Sequence, residues 1–146
     1  MPSWPRREAA PTRSDQLRCR PMKAIVIGCG RVGATVALQL AASGWDITAV
    51  DQNEDSLGRL GESWTGGFVV GHGMDQRLLR DAGIEEADAV IVTTNGDNTN
   101  IVIAQVAQKH FQVPTVVVRI LDPARAQFYA ERGLRVVCPT SAAIET

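Results

Sequence analysis

Ala24-Ile25-Val26-Ile27-Gly28-Cys29-Gly30-Arg31-Val32-Gly33 joins an apolar run to a glycine-rich turn. Residues 24–27 form a short unbroken apolar run, the pattern of a strand buried on both faces. The run passes directly into Gly28-x-Gly30-x-x-Gly33, and residues 32–40 are then rich in Ala and Leu at helical spacing until Ser43-Gly44. Glycines at this spacing arise by chance, but between a strand and a helix they have a mechanism. Gly28 permits a tight turn, Gly30 lets the backbone approach a pyrophosphate, and Gly33 lets the helix lie close to the strand. Unpaired N–H groups at the helix start, with the positive end of its dipole, then hold the diphosphate.

The alternation continues outward. Residues 46–50 read as a second strand, followed by a helix from Asn53, a good N-cap, to Leu60. Residues 68–70 are a third strand, 76–81 a short helix, 89–92 a fourth strand and about 97–110 a longer helix. A fifth strand covers 115–120. Asp122-Pro123 then reads as N-cap and first helical residue, the helix runs to Glu131, Gly133 stops it, and 134–137 is a sixth strand. Short strands alternating with helices predict an α/β fold: a Rossmann-like, doubly wound parallel sheet of about six strands with helices on both faces.

Residues 22–140 are expected to form this nucleotide-binding domain, and 141–146 to begin a linker or crossover helix. Residues 1–21 carry five arginines against Glu8 and Asp15, with several prolines and few aliphatic side chains. Such a basic leader buries too little surface to offset its ordering entropy and is expected to be disordered. Met22 reads equally as a natural start or as the end of a flexible tail.

The 146 residues suit one domain, and a net charge of −1 gives no basic footprint for nucleic acid or an anionic membrane. No run reaches the roughly 18 apolar residues of a membrane span, so direct insertion is not expected. The start of the chain lacks the apolar core of a secretory signal. Three cysteines without a Cys-x-x-Cys pair read as reduced thiols in a cytoplasmic protein. His72 and His110 are poorly spaced for metal binding, so no metal is expected.

Ligands of open α/β sheets bind at the carboxyl ends of the strands. Asp51 ends strand two, where a carboxylate accepts hydrogen bonds from both ribose hydroxyls and repels a 2′-phosphate, which favours NAD over NADP. Strand three ends in Gly71-His72-Gly73, strand four in Thr93-Thr94-Asn95-Gly96-Asp97 and strand five in Arg119. Thr94 and Asn95 suit contacts to the cofactor, and Arg119 suits a phosphate or carboxylate. Each also has a plain structural reading: Asp51 as a solvent-facing acid, His72 as a loop residue, Asn95-Gly96 as a turn, Asp97 as a helix cap and Arg119 as a surface charge.

Gly28-Cys29-Gly30-Arg31-Val32-Gly33, Asp51, Gly71-His72-Gly73, Ala82-Gly83-Ile84-Glu85-Glu86-Ala87-Asp88, Gly96-Asp97-Asn98-Thr99-Asn100 and Val137-Cys138-Pro139-Thr140 occur in this order. Together they resemble the TrkA N-terminal domain, also called the RCK or KTN domain, over residues 22–140. The resemblance implies a cytoplasmic regulatory subunit of a potassium uptake system. It implies NAD(H) as the cofactor, with ATP or ADP as the alternative. It also implies a homodimer or larger ring beneath a membrane potassium-transporting subunit. The cofactor contacts it implies fall on Gly28, Cys29, Gly30, Arg31, Val32, Asp51, Thr94, Asn95 and Arg119. Gly33 and the His72-Gly73 turn complete the candidate site. Many relatives carry an acid where His72 stands, and the usual C-terminal ligand-binding domain falls outside this chain.

Two rival readings remain. An NAD-dependent oxidoreductase needs a substrate pocket and an acid–base group beside the nicotinamide. Tyr129 is the single tyrosine and Gly133 stands four residues later, so no Tyr-x-x-x-Lys is present and no catalytic residue is assigned. A purely structural interaction domain would keep the fold and leave the crevice empty. The apolar run at residues 101–104 suggests an association surface beyond the needs of one sheet face.

Overall fold

The computed structural model describes residues 22–138. The expected leader at 1–21 and the segment at 141–146 lie outside the described residues. The elements are β1 (Lys23–Ile27), α1 (Arg31–Ala42), β2 (Asp46–Asp51), α2 (Leu57–Leu60), β3 (Gly67–Val70), α3 (Gln76–Asp81), β4 (Ala89–Val92), α4 (Asp97–Gln105), β5 (Thr115–Arg119), α5 (Pro123–Ala130) and β6 (Arg135–Val137). The six strands form one sheet in the order β3-β2-β1-β4-β5-β6, each neighbouring pair parallel. Strand order reverses between β1 and β4, which opens a crevice at their carboxyl ends.

Side chains alternate across a strand, so β1 feeds two cores. Ile25 and Ile27 join Val90, Val92, Val116 and Val118 of the sheet, Leu79 of α3 and Ile101 and Ile103 of α4. Ala24 and Val26 join Ala49 and Ala89 of the sheet with Ala34 and Ala37 of α1 and Leu60 of α2. One face is thus filled by branched side chains and the other by small ones, which lets α1 lie close to the sheet. On that second face a groove of about 380 Å³ stays open between α1 and the far strands, lined by Val32, Val36, Leu40, Trp45, Ile91 and Val117 among others.

Two helices differ from expectation. The one expected from Asn53 to Leu60 is split. The Asn53 side chain accepts the Asp55 N–H at 3.0 Å and caps a tight 3₁₀ turn, and only Leu57–Leu60 is α-helical before Gly61 (φ 86°) ends it. The helix expected to His110 is α-helical only to Gln105. Val106–His110 widens into a π turn, with Phe111 N–H reaching the Val106 carbonyl at 3.2 Å, and the chain then brings Val113 into the core at 5% exposure. Ile101, Ile103 and Ala104 are buried in the domain's own core and only Val102 is exposed. The apolar run at 101–104 is therefore taken up internally, and the open apolar surface is the groove beside α1.

Candidate functional site

The turn after β1 is shaped by what its glycines omit. Gly28 has φ +95°, and a Cβ there would lie 2.7 Å from Thr94 N. Its N–H donates to the Val50 carbonyl at 2.8 Å and its carbonyl accepts from Thr93 Oγ1 at 2.7 Å, so the turn is tied to the ends of both flanking strands. A Cβ on Gly33 would fall 1.9 Å from the Gly28 carbonyl oxygen, so α1 can approach only without a side chain there. Around a Cβ on Gly30 nothing lies within 4 Å. Gly30 is also the N-cap of α1, with no side chain closing the helix start. The first-turn N–H groups are thus left for an external acceptor.

Asp51 closes the next side. Its Oδ2 accepts the Cys29 N–H at 2.6 Å and its Oδ1 accepts the Asn53 N–H at 2.8 Å. A carboxylate has about four lone-pair sites, so two stay free for ribose hydroxyls. The Cys29 side chain is fully buried. Burial pushes its thiol pKa up to about 11, the Asp51 carboxylate adds to the rise and Arg59 opposes it. Arg59 Nη1 donates to the Cys29 carbonyl at 3.4 Å.

The turn after β4 is held by a side chain instead. Asn100 is 1% exposed. Its Oδ1 accepts the Thr94 N–H at 3.0 Å and also the Thr94 hydroxyl, while its Nδ2 donates to the carbonyls of Thr94 at 3.1 Å and Arg119 at 2.8 Å. Asp97 accepts the Leu121 and Asp122 N–H groups at 2.8 and 3.0 Å. The first turn of α4 thereby staples the ends of β4 and β5 together. Asp97 belongs to this staple, while Gly96 takes the N-cap position.

Between the two turns lies a cleft of about 490 Å³ at the switch point. Gly28, Gly30, Asp51, His72, Gly73, Thr94 and Asn95 line it, seven of the twelve residues expected from sequence. Cys29 takes part through its backbone alone, and Gly33 lies on the buried face of α1, against the Gly28 carbonyl. Arg31 and Val32 are exposed on the first turn of α1. Val32 and Arg119 line the groove on the small-residue face of the sheet. The Arg119 guanidinium is tied by Nη2 to the Thr94 carbonyl at 2.8 Å, and its Nε is buried with no hydrogen-bond partner among the described residues. The structure therefore does not bring Arg119 into the cleft, because alternation along β5 places residues 117 and 119 on the same face. His72 Nδ1 accepts the Met74 N–H at 3.1 Å and shapes its own turn.

Sequence reading missed Arg59 and Asn100. Asn100 carried a signal, an amide on the buried side of an apolar helix. Arg59 carried none, being an exposed residue in a four-residue helix. Asp51 and Arg59 are the acidic and basic side chains lining the cleft.

The sequence pattern of the TrkA-N domain matches residues 24–139. The Trk system potassium uptake protein TrkA of Streptomyces coelicolor is 44% identical over 116 residues, covering 80% of this chain and 52% of that protein. The chain thus spans about half the length of that relative. The TrkA-N domain of the inner membrane protein ybaL from Escherichia coli superposes with TM-score 0.75 at 20% identity, covering 86% of this chain and 93% of that one. A structure of GsuK bound to ADP superposes with TM-score 0.70 at 26% identity, covering 83% of this chain and 31% of that one.

Proposed function

Because this chain belongs to the TrkA-N domain family, we propose that it is the nucleotide-binding regulatory part of a potassium uptake system. In this reading it senses NAD(H) or ATP/ADP and passes its state to a membrane ion-conducting partner. The observation that carries the proposal is the pairing, across one cleft, of the uncapped start of α1 with the Asp51 carboxylate. The first suits a phosphate and the second a ribose, which together describe a nucleotide. Gly28, Gly30, Asp51, His72, Gly73, Thr94 and Asn95 are the proposed contacts. The α1 turn adds the backbone of Cys29, Arg31 and Val32, and Gly33 permits its approach.

The likeness to the potassium uptake protein TrkA supports the potassium system, and the ADP-bound GsuK structure supports an adenine nucleotide. No helix among the described residues is long and apolar enough to cross a membrane. On the likeness to TrkA, the ion path is assigned to a membrane partner, with this domain on its cytoplasmic side. The open groove beside α1 supports assembly as a homodimer or larger ring, since apolar surface of that kind favours burial. The role is regulatory and assigns no residue to catalysis.

The test is twofold. The small molecule released on denaturing the purified protein is identified by mass spectrometry, and calorimetry follows titration with NAD, NADH, ADP and ATP. Binding of at least one in the micromolar range is expected. Failure of all four to bind at millimolar concentration removes the proposal. Sustained protein-dependent oxidation of NADH with a panel of small carbonyl compounds would instead favour the oxidoreductase.

A further inference from the structure

We propose that Arg59 is the phosphate-directed cation of the cleft, and that it tilts the site toward ADP and ATP over NAD(H). The inference rests on the reading of the cleft as a nucleotide site and names what that site prefers. Two other arginines suggest themselves from sequence, and neither lines the cleft. The Arg119 guanidinium is held on the Thr94 carbonyl, and the residue's carbon atoms line the apolar groove instead. Arg31 sits exposed on the first turn of α1 and is not part of the lining. Arg59 does line the cleft, and its Nη1 rests on the Cys29 carbonyl, in the middle of the glycine turn.

The local structure explains how it arrives there. Asn53 caps the turn after β2, Leu60 is buried in the small-residue core at 2% exposure, and Gly61 ends α2. With Leu60 anchored, the preceding residue is carried along the rim between Asp51 and the glycine turn. A phosphate seated on the N–H groups at the start of α1 lies against that same turn. The contact to Cys29 is a single one at 3.4 Å, so the guanidinium can swing to a stronger acceptor. Guanidinium-to-phosphate hydrogen bonds are charge-assisted and often bidentate.

Charge then sets the preference. The two phosphates of a dinucleotide are diesters with one negative charge each. ADP and ATP end in a phosphate with more charge and more free oxygens. The Coulomb gain from one added cation grows with that charge. Asp51 works the other way at the ribose, where it disfavours a 2′-phosphate. One acid and one base on the same rim thus separate phosphate at the ribose from phosphate at the 5′ end.

The experiment titrates ATP, ADP and NADH by calorimetry into wild type, Arg59→Gln and Arg59→Lys, at low and at moderate salt. Gln keeps a donor for the Cys29 carbonyl without charge; Lys keeps the charge without the planar fork. Arg59→Gln is expected to weaken ATP by about 30-fold, ADP by about tenfold and NADH by no more than about threefold, within the range of charged hydrogen bonds. Arg59→Lys is expected to recover much of the loss, and the gap between ligands is expected to narrow with salt. Equal losses for all three ligands, or no loss while wild type binds, overturn the role of Arg59 and leave the nucleotide site standing. Wild type that binds none of the three overturns both.

Discussion

The turns after β1 and β4 face each other across one crevice and are built on opposite principles. The first is shaped by missing side chains, since Gly28 and Gly33 leave no room for a Cβ. The second is shaped by one side chain too many for chance, a buried Asn100 with all of its hydrogen-bonding groups in use. A sterically fixed turn has few ways to adjust. A network adjusts or fails as a unit, because removing one member leaves the others buried and unpaired. The glycine turn therefore acts as a rigid seat, and the β4 turn as a fitted brace.

The largest expected effect strikes the seat. Gly28→Val would place a β-branched side chain at φ +95° with its Cβ 2.7 Å from the Thr94 backbone, which should cost more than ~4 kcal/mol. The variant is expected to be unfolded or insoluble, and a cooperative melt within a few degrees of wild type would show that the glycine turn is not sterically fixed. The next effect strikes the brace. Asn100→Leu keeps the branching at Cγ, with somewhat more bulk, but leaves the Thr94 N–H and the Arg119 carbonyl without their partner, at a cost of about 3 kcal/mol. Urea denaturation measures this directly, and a loss below about 0.5 kcal/mol would mean that the β4 turn is held elsewhere.

Asp51→Ala separates ligand binding from folding, because Asp51 holds two backbone N–H groups and is also the proposed ribose contact. Nucleotide affinity is expected to fall by about tenfold to a hundredfold, from the loss of charge-assisted bonds to the ribose. Stability should fall by about 1 kcal/mol, since the Cys29 and Asn53 N–H groups lose their acceptor near the surface. Asp51→Asn should lose less affinity for NADH and reduce the penalty against NADPH. Unchanged NADH affinity in a folded Asp51→Ala protein would place the ribose elsewhere.

The smallest effect is a pH dependence in the seat. The Cys29 thiol is raised to about 11 from an ordinary value of 9.0, chiefly by burial. An acid raised in the folded state ionises first in the unfolded chain, so the unfolded state gains as pH climbs through the ordinary value. Stability is expected to decline between pH 9 and about 11 and to level off above. Comparing the melting curves of wild type and Cys29→Ala across that range isolates the contribution, and parallel pH profiles would refute it.

The seat was legible in the sequence because its mechanism depends on residue type at fixed spacing. Gly28, Gly30 and Gly33 next to an apolar run, and an acid at the end of the second strand, have one economical interpretation. The sheet was legible for the same reason, through short strands of three to six residues rich in β-branched side chains. The brace was not, since it depends on which residue of α4 meets which strand end, a fact of tertiary packing. Arg119 shows the limit from the other side. Its position at a strand end suggested the cleft, yet the alternation of β5 put its side chain on the sheet's face. The split after Asn53 was hidden as well, because a capped 3₁₀ turn and a capped α-helix begin with the same residues.

The open groove beside α1 has a thermodynamic consequence. Its exposed lining is apolar, Arg119 included, which contributes carbon atoms only, and apolar surface removed from water is worth about 25 cal/mol per Å². Any polypeptide that covers the groove with apolar side chains gains that burial only on the folded domain, so folding and assembly become linked equilibria. By mass action the melting temperature would then rise with protein concentration, and the domain alone would be less stable than the same domain in its assembly.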